Sequence, residues 1–141
     1  MNFNVGYRNS GFLIYFDVKK RFLKGQQVYI YSGTKSTGSD PITYAKRIED
    51  LGVGEIILNS IDNDGLMTGY DIELIEKVSK AVEVPVVALG GAGGLSDISA
   101  AIKDGYASAA AAGSIFVYHG PRNAVLINYP SKDEILSTFN L

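Results

Sequence analysis

The sequence has no cysteine, so disulfides and thiol chemistry are excluded, and its single histidine, His119, cannot by itself build a histidine metal site. Basic residues do not outnumber acidic ones: 13 Lys and Arg stand against 15 Asp and Glu, for a net charge of -2. The lysines are scattered and form no basic stripe, so a nucleic acid has no evident landing surface. Small anions stay available as ligands, because a helix N-terminus can hold them without net charge. No apolar run approaches the roughly 18 residues of a membrane span, and no basic stretch followed by an apolar one opens the chain. The expectation is a cytoplasmic protein with no membrane association.

What is present is the material of one domain. Apolar residues make up 46% and charged residues 20%, a balance that buries a core and argues against disorder. At 141 residues the chain is well short of the roughly 250 that a closed (βα)8 barrel takes.

An aromatic-rich run from Phe12 to Phe16 ends at Asp17, and Val28 to Tyr31 forms a second β-prone run, with Leu23-Lys24-Gly25 between them suited to a hairpin turn. Ser39-Asp40-Pro41 then reads as a helix start, followed by an apolar stripe at Ile42, Ala45 and Ile48 before Gly52. The unit repeats. Glu55 to Asn59 is a buried-type strand, Asp71 opens a helix with Leu74, Ile75, Val78, Ala81 and Val82 on one face, and Pro85 to Leu89 is the next strand. Ser96 is expected to cap a short helix closed by Gly105. Ala107 to Ala112 takes its strand assignment from its place in the alternation, and a last helix starts at Ser131 with Glu134 completing a capping box. Strands joined by helix-length crossovers imply a parallel α/β sheet, either open and doubly wound or part of a (βα)8 barrel.

The candidate chemistry lies at the strand ends. Asp17 closes an apolar strand, where α/β folds present catalytic groups, although a turn-capping aspartate is the plainer reading of position alone. Asp62 and Asp64 follow the strand ending in Asn59, and an Asx turn accounts readily for one of them. A calcium loop would need a glutamate at its twelfth position, which is absent. Gly90-Gly91-Ala92-Gly93-Gly94 follows one strand, and Ala112-Gly113-Ser114 follows the next. Two such small-residue turns on adjacent strands suit the phosphate cup of a (βα)8 barrel. The glycine spacing is not that of a dinucleotide fold. Tyr31-Ser32-Gly33 and Thr37-Gly38 are polar turns, and His119 beside Gly120-Pro121 reads as a surface loop residue.

Read in order, IYFDVKK, YSGTKSTG, GEIILNSIDNDGLMTGYD, PVVALGGAG and AAAAGSIF resemble the second half of the cyclase subunit of imidazole glycerol phosphate synthase, over about residues 12–116. The tail INYPSKDEI resembles the branch of these cyclases found with surface-polysaccharide gene sets. The resemblance implies a half of a (βα)8 TIM barrel, about four parallel strands with helices outside, in one domain over 1–141, and the two unpaired sheet edges and open inner face of such a half predict that self-association completes it. It implies a phosphorylated small molecule as ligand, a glutaminase subunit as a partner supplying ammonia for ring closure, and no cofactor. It makes Asp17 the catalytic acid or base. Ser32, Asn59, Asp64 and Gly65 become substrate-lining positions, and Gly90, Gly91, Gly113 and Ser114 the phosphate cup. Asn59 stands where threonine is common in that family, and Leu89 where a small polar residue is. The first half, with the other catalytic aspartate and the second cup, is absent. Two alternatives stay open: a non-catalytic binding module, and a fragment needing a separate N-terminal half.

Overall fold

The structure, a computed structural model, describes residues 11–120 and 124–139. Met1, Pro121 and the outermost ends of the expected 1–141 domain lie outside the described residues.

A six-stranded sheet runs in the order β3-β2-β1-β4-β5-β6. Its parallel part consists of β1 (Leu13–Arg21), β4 (Glu55–Ser60), β5 (Val86–Leu89) and β6 (Ala109–Ala110). These four strands follow one another across the sheet in chain order, without reversal. The crossovers carry α1 (Pro41–Asp50), α2 (Ile72–Ser79) and α3 (Leu95–Lys103). Successive right-handed crossovers in one direction place every helix on the same face. The doubly wound alternative would need a switch point, and the parallel part has none.

Alternation then sorts the strand residues. Ile14, Phe16 and Val18 of β1, Ile56 and Leu58 of β4, and Val86 and Ala88 of β5 pack into one core with Ala45, Ile48, Leu74, Ile75, Val78 and Ala101 from the helices. Phe16 meets Tyr44 of α1 edge to face, with centroids 5.1 Å apart. The intervening residues face away from the helices. Leu13, Tyr15 and Ala109 are exposed there, and Ile57, Val87 and Leu89 are half-buried.

Local signals account for the helix starts. Asp40 caps α1, its side chain accepting from the N–H groups of Ile42 and Thr43 with Pro41 at the first helical position. Asp71 caps α2, accepts from Gln26 Nε2 at 2.9 Å and pairs with Lys20 at 3.1 Å, tying the hairpin to the helix. Ser131 and Glu134 exchange bonds at the start of α5 (Lys132–Phe139), the expected capping box.

Four expectations are corrected. Asp17 does not end its strand. Parallel pairing with β4 stops at Val18, but β1 runs on to Arg21 as the first arm of an antiparallel hairpin with β2 (Gly25–Ile30), which β3 (Lys35–Ser36) extends. Ser96 does not cap α3. Gly94 is the capping residue, the helix starts at Leu95, and Asp97 reaches back to the Gly93 N–H at 2.8 Å. The helix α2 stops at Ser79, so Ala81 and Val82 lie beyond it. The alanine strand shrinks to Ala109–Ala110, since side chains this small bury little surface to hold a longer edge strand. The short helix α4 (Ser114–Val117) follows it, and a small hairpin of β7 (Tyr118–His119) and β8 (Ala124–Val125) lies beyond.

Candidate functional site

Register brings the candidate side chains together. Asp17 pairs across the ladder with Asn59, and Asn59 with Leu89, so the three share the face that carries no helix. Asp17 is only 4% exposed, and Asn59 likewise 4%. Asn59 Nδ2 donates to Asp17 Oδ1 at 2.9 Å and to the Tyr15 oxygen at 3.0 Å. The Tyr15 hydroxyl in turn donates to the same Oδ1 at 2.5 Å. Presenting Nδ2 to a carboxylate is the sensible amide orientation, because the reverse would set two acceptors against each other. It leaves Asn59 Oδ1 buried with no hydrogen-bond partner among the described residues.

Tyr15 occupies the middle of this cluster, two residues before Asp17 on the same face. Burial of its hydroxyl, then the hydrogen bond to Asp17 and that carboxylate's charge, push its pKa up to about 12, with a small addition from Asp64 and opposition from Asn59. Tyr15 therefore stays a neutral donor through the physiological range, even though 47% of the residue is exposed.

A cavity of about 190 Å³ opens beside the cluster. Its wall includes Tyr15, Asn59, Asp64 and Gly65 on one side and Leu89, Gly90, Gly91, Ala112, Gly113 and Ser114 on the other. That volume is below the roughly 300–1,000 Å³ of a complete small-molecule site, and suits part of a ligand. Seven of the nine expected site residues line it: Asn59, Asp64, Gly65, Gly90, Gly91, Gly113 and Ser114. Two do not. Asp17 lies behind Tyr15, and Ser32 sits in the exposed turn after β2 with a left-handed φ of 53°. That turn still approaches the cluster, since a Cβ on Gly33 would lie 3.8 Å from Asp17 Oδ2.

The segment after β4 has its own internal logic. Asp62 Oδ2 accepts from the Lys20 N–H at 2.7 Å, anchoring the loop to β1 and leaving Asp64 as the carboxylate on the cavity wall. Asn63 bridges Ser60 Oγ, at 3.0 Å, and the Gly69 carbonyl, at 2.9 Å. This loop also explains the glycines opposite. A Cβ on Gly91 would sit 2.2 Å from the Gly69 carbonyl oxygen, and one on Gly93 equally close to that of Met67. A Cβ on Gly90 would meet Asn59 Oδ1 at 2.5 Å. The bare backbone at Gly91 and Gly93 is thus required by packing against the 60–70 loop, and that at Gly90 by Asn59 and Ser60 of β4. Gly113 is different: a Cβ there meets nothing within 4 Å. The first turn of α4 begins at Ser114, where the leading N–H groups lack intrahelical acceptors.

Two tyrosines were missed on the sequence. Tyr15 could have been found from the two-residue alternation with Asp17. Tyr70 could not: it lies outside the strands, yet its hydroxyl donates to the Ala111 carbonyl at 2.8 Å and so positions the alanine wall of the cavity. Burial, aided by the charge of Asp97, raises its pKa to about 12. His119 is on the exposed strand β7, away from the cavity. Among the described residues no group of acidic or histidine side chains could hold a metal ion, and no helix is long and apolar enough to cross a membrane.

Residues 7–122 match the family model described as histidine biosynthesis protein. A Leptospira interrogans protein with the provisional name imidazole glycerol phosphate synthase subunit HisF is 43% identical over 127 residues, 89% of this chain and 50% of the relative. A Vibrio vulnificus protein provisionally named as subunit hisF3 of the same synthase is 46% identical over 119 residues, 84% of this chain and 46% of the relative. The imidazole glycerol phosphate synthase subunit HisF of Alkaliphilus metalliredigens is 40% identical over 113 residues, 80% of this chain and 45% of the relative. The chain thus spans about half the length of the curated relatives it matches. With a family match across most of its length and relatives at this identity, the chain belongs to the histidine biosynthesis protein family, on the branch of the imidazole glycerol phosphate synthase subunit HisF.

Proposed function

We propose that this chain is a half of a (βα)8 barrel that binds a phosphorylated small molecule, completed by a second copy of itself and related in activity to an ammonia-dependent cyclase. One observation carries the reading: a single cavity has the Tyr15–Asn59 cluster over Asp17 on one side and the Gly113–Ser114 turn on the other. The assembly is supported by four consecutive parallel strands with a partly exposed face, and by β1, whose Leu13 to Phe16 section pairs only with β4 among the described residues. A second copy would cover that face and join the edges. It would also supply a second Asp17 and a second cup.

In this reading Asp17 transfers protons during ring closure, and Ser32, Asn59, Asp64 and Gly65 hold the substrate. Gly113 and Ser114 contribute backbone N–H groups to a phosphate, beside the Gly90–Gly91 turn. Ammonia would come from a glutaminase subunit. A non-catalytic phosphate-binding module is the second reading, favoured by the cover that Tyr15 places over Asp17.

Calorimetry with inorganic phosphate tests the cup. Gly113→Val is the informative variant, since the Cβ it adds meets nothing within 4 Å, unlike a change at Gly91. Wild type should bind, and Gly113→Val should bind at least tenfold more weakly with an unchanged melting temperature. Equal affinity would remove the phosphate site.

A further inference from the structure

The cavity wall includes Tyr15 and excludes Asp17. A ligand entering it meets Tyr15, whose phenol oxygen has nearly used up its bonding capacity. Its proton goes to Asp17 Oδ1 at 2.5 Å, and one lone pair accepts from Asn59 Nδ2 at 3.0 Å. A phenol oxygen has one further lone pair. That lone pair can only accept, so whatever binds there must donate.

We propose that Tyr15 is a ligand-contacting residue that selects phosphate esters bearing a hydroxyl or amino group, with Asp17 acting on the ligand through it. The inference rests on the reading of Gly113–Ser114 as a phosphate site. Strand order sets the polarity of the cavity: Tyr15 on β1 and Asn59 on β4 stand at one side, and the turns after β5 and β6 at the other. Asp64 adds a second carboxylate to the Tyr15 side. An anionic group would be repelled there, so a bound ester is oriented with its phosphate toward Ser114 and its donor toward Tyr15.

The arrangement also gives Asp17 a route to the ligand. A proton leaving the ligand's O–H or ammonium bonds to the phenol oxygen while the phenol's own proton passes to Asp17 Oδ1. The electron pair stays on the ligand, and the reverse movement restores both groups. Net transfer is one proton from ligand to Asp17, with Tyr15 unchanged. The raised pKa of Tyr15 is consistent with this, because the phenol holds its proton unless another replaces it.

Glycerol 3-phosphate and propyl phosphate share a phosphate and differ in their hydroxyls, which makes them suitable probes for calorimetry on the full chain. Wild type should prefer glycerol 3-phosphate about fivefold, the value of one modest hydrogen bond. Tyr15→Phe deletes a single oxygen and should bind both esters equally, near the propyl phosphate affinity. Tyrosine difference absorbance on unaltered protein gives a second readout: a perturbation with glycerol 3-phosphate and none with propyl phosphate. Equal binding of the two esters by wild type overturns the inference while leaving the phosphate site standing. A preference that persists in Tyr15→Phe overturns it in favour of direct contact with a carboxylate. If neither ester binds wild type, the phosphate site falls and the inference with it.

Discussion

On the helix side of the sheet, Phe16, Val18, Ile56, Leu58, Val86 and Ala88 are closed off from water, while on the other side of the same strands Leu13, Tyr15 and Ala109 are open to it. The amino-acid types differ too, since the open side also holds Glu55, Asp17 and Asn59. Both faces are mostly aliphatic, as in parallel sheets covered on both sides. The difference appears along the strands: the open face starts with Leu13 beside Glu55, is apolar at Ile57 and Val87, and turns polar at Asp17 and Asn59 near the C-terminal end of the parallel ladder. An apolar layer under a polar rim is how a (βα)8 barrel separates its packed interior from its site. One face is a finished core, and the other is a mixture of apolar, charged and polar side chains.

The largest effect should come from the finished core. Phe16 is 2% exposed and packs on Tyr44, so Phe16→Ala removes a ring from a closed interior and should cost about 4 kcal/mol, in the range for buried aromatic truncations. Urea denaturation measures it. That loss approaches the whole stability of a marginal domain. A cost below about 1 kcal/mol would mean the helix face is not the folding core.

Tyr70 offers a second, smaller test through pH. Its pKa in the folded state is raised to about 12 from the ordinary 10.0, chiefly by burial, so the folded protein holds this proton more tightly than the unfolded chain. The corresponding stability is fully present below pH 10 and is lost as pH rises through about 12. Two units correspond to about 3 kcal/mol as an upper figure. Tyr15 shifts in the same direction but is half exposed, so water screens its share. Urea midpoints at pH 9, 10, 11 and 12 should fall more steeply for wild type than for Tyr70→Phe. Parallel curves would show that ionising this hydroxyl does not oppose folding.

The covered face was readable because each element carried a local signal. The Asp40-Pro41 start, the Asp71 cap, the stripe at Leu74, Ile75 and Val78 and the Ser131–Glu134 box all act within one or two turns of chain. The open face was read less well, since its features depend on distant partners. Lys19 to Arg21 carry no strand signal and are extended because they pair with residues 25–27. Gly94 replaces Ser96 as the cap of α3 through the fit of the glycine loop against Met67 and Gly69, which no periodicity records. Gly91 shows the limit most clearly. A bare backbone needed to approach a ligand and one needed to approach another loop have the same sequence. Asp17, Asn59, Asp64 and Gly113 were named from motif and resemblance, while the tyrosine between Asp17 and the cavity went unnoticed although strand alternation placed it there.

The smallest effect on folding should come from Leu13, and it decides what the open face is for. Leu13 is 49% exposed, beside Glu55 on that face, and the edge of β1 at that point pairs on one side only among the described residues. In a single copy, Leu13→Asp leaves the new carboxylate in contact with water and gives up the packing of a half-exposed side chain, so stability should fall by no more than about 1 kcal/mol. In a barrel rebuilt from two copies the same carboxylate would be enclosed beside that of Glu55, its ladder partner, and two like charges shut away from water are costly enough to outweigh a micromolar association. Wild type should therefore elute as a dimer at micromolar concentration in size exclusion with light scattering, and its melting temperature should rise with concentration. Leu13→Asp should elute as a monomer that melts at a concentration-independent temperature. A monomeric wild type would sink the two-copy barrel outright. A Leu13→Asp protein that stays dimeric would place the contact elsewhere, and the exposed Leu126, Ile127 and Tyr129 of the C-terminal segment would be the next residues to charge.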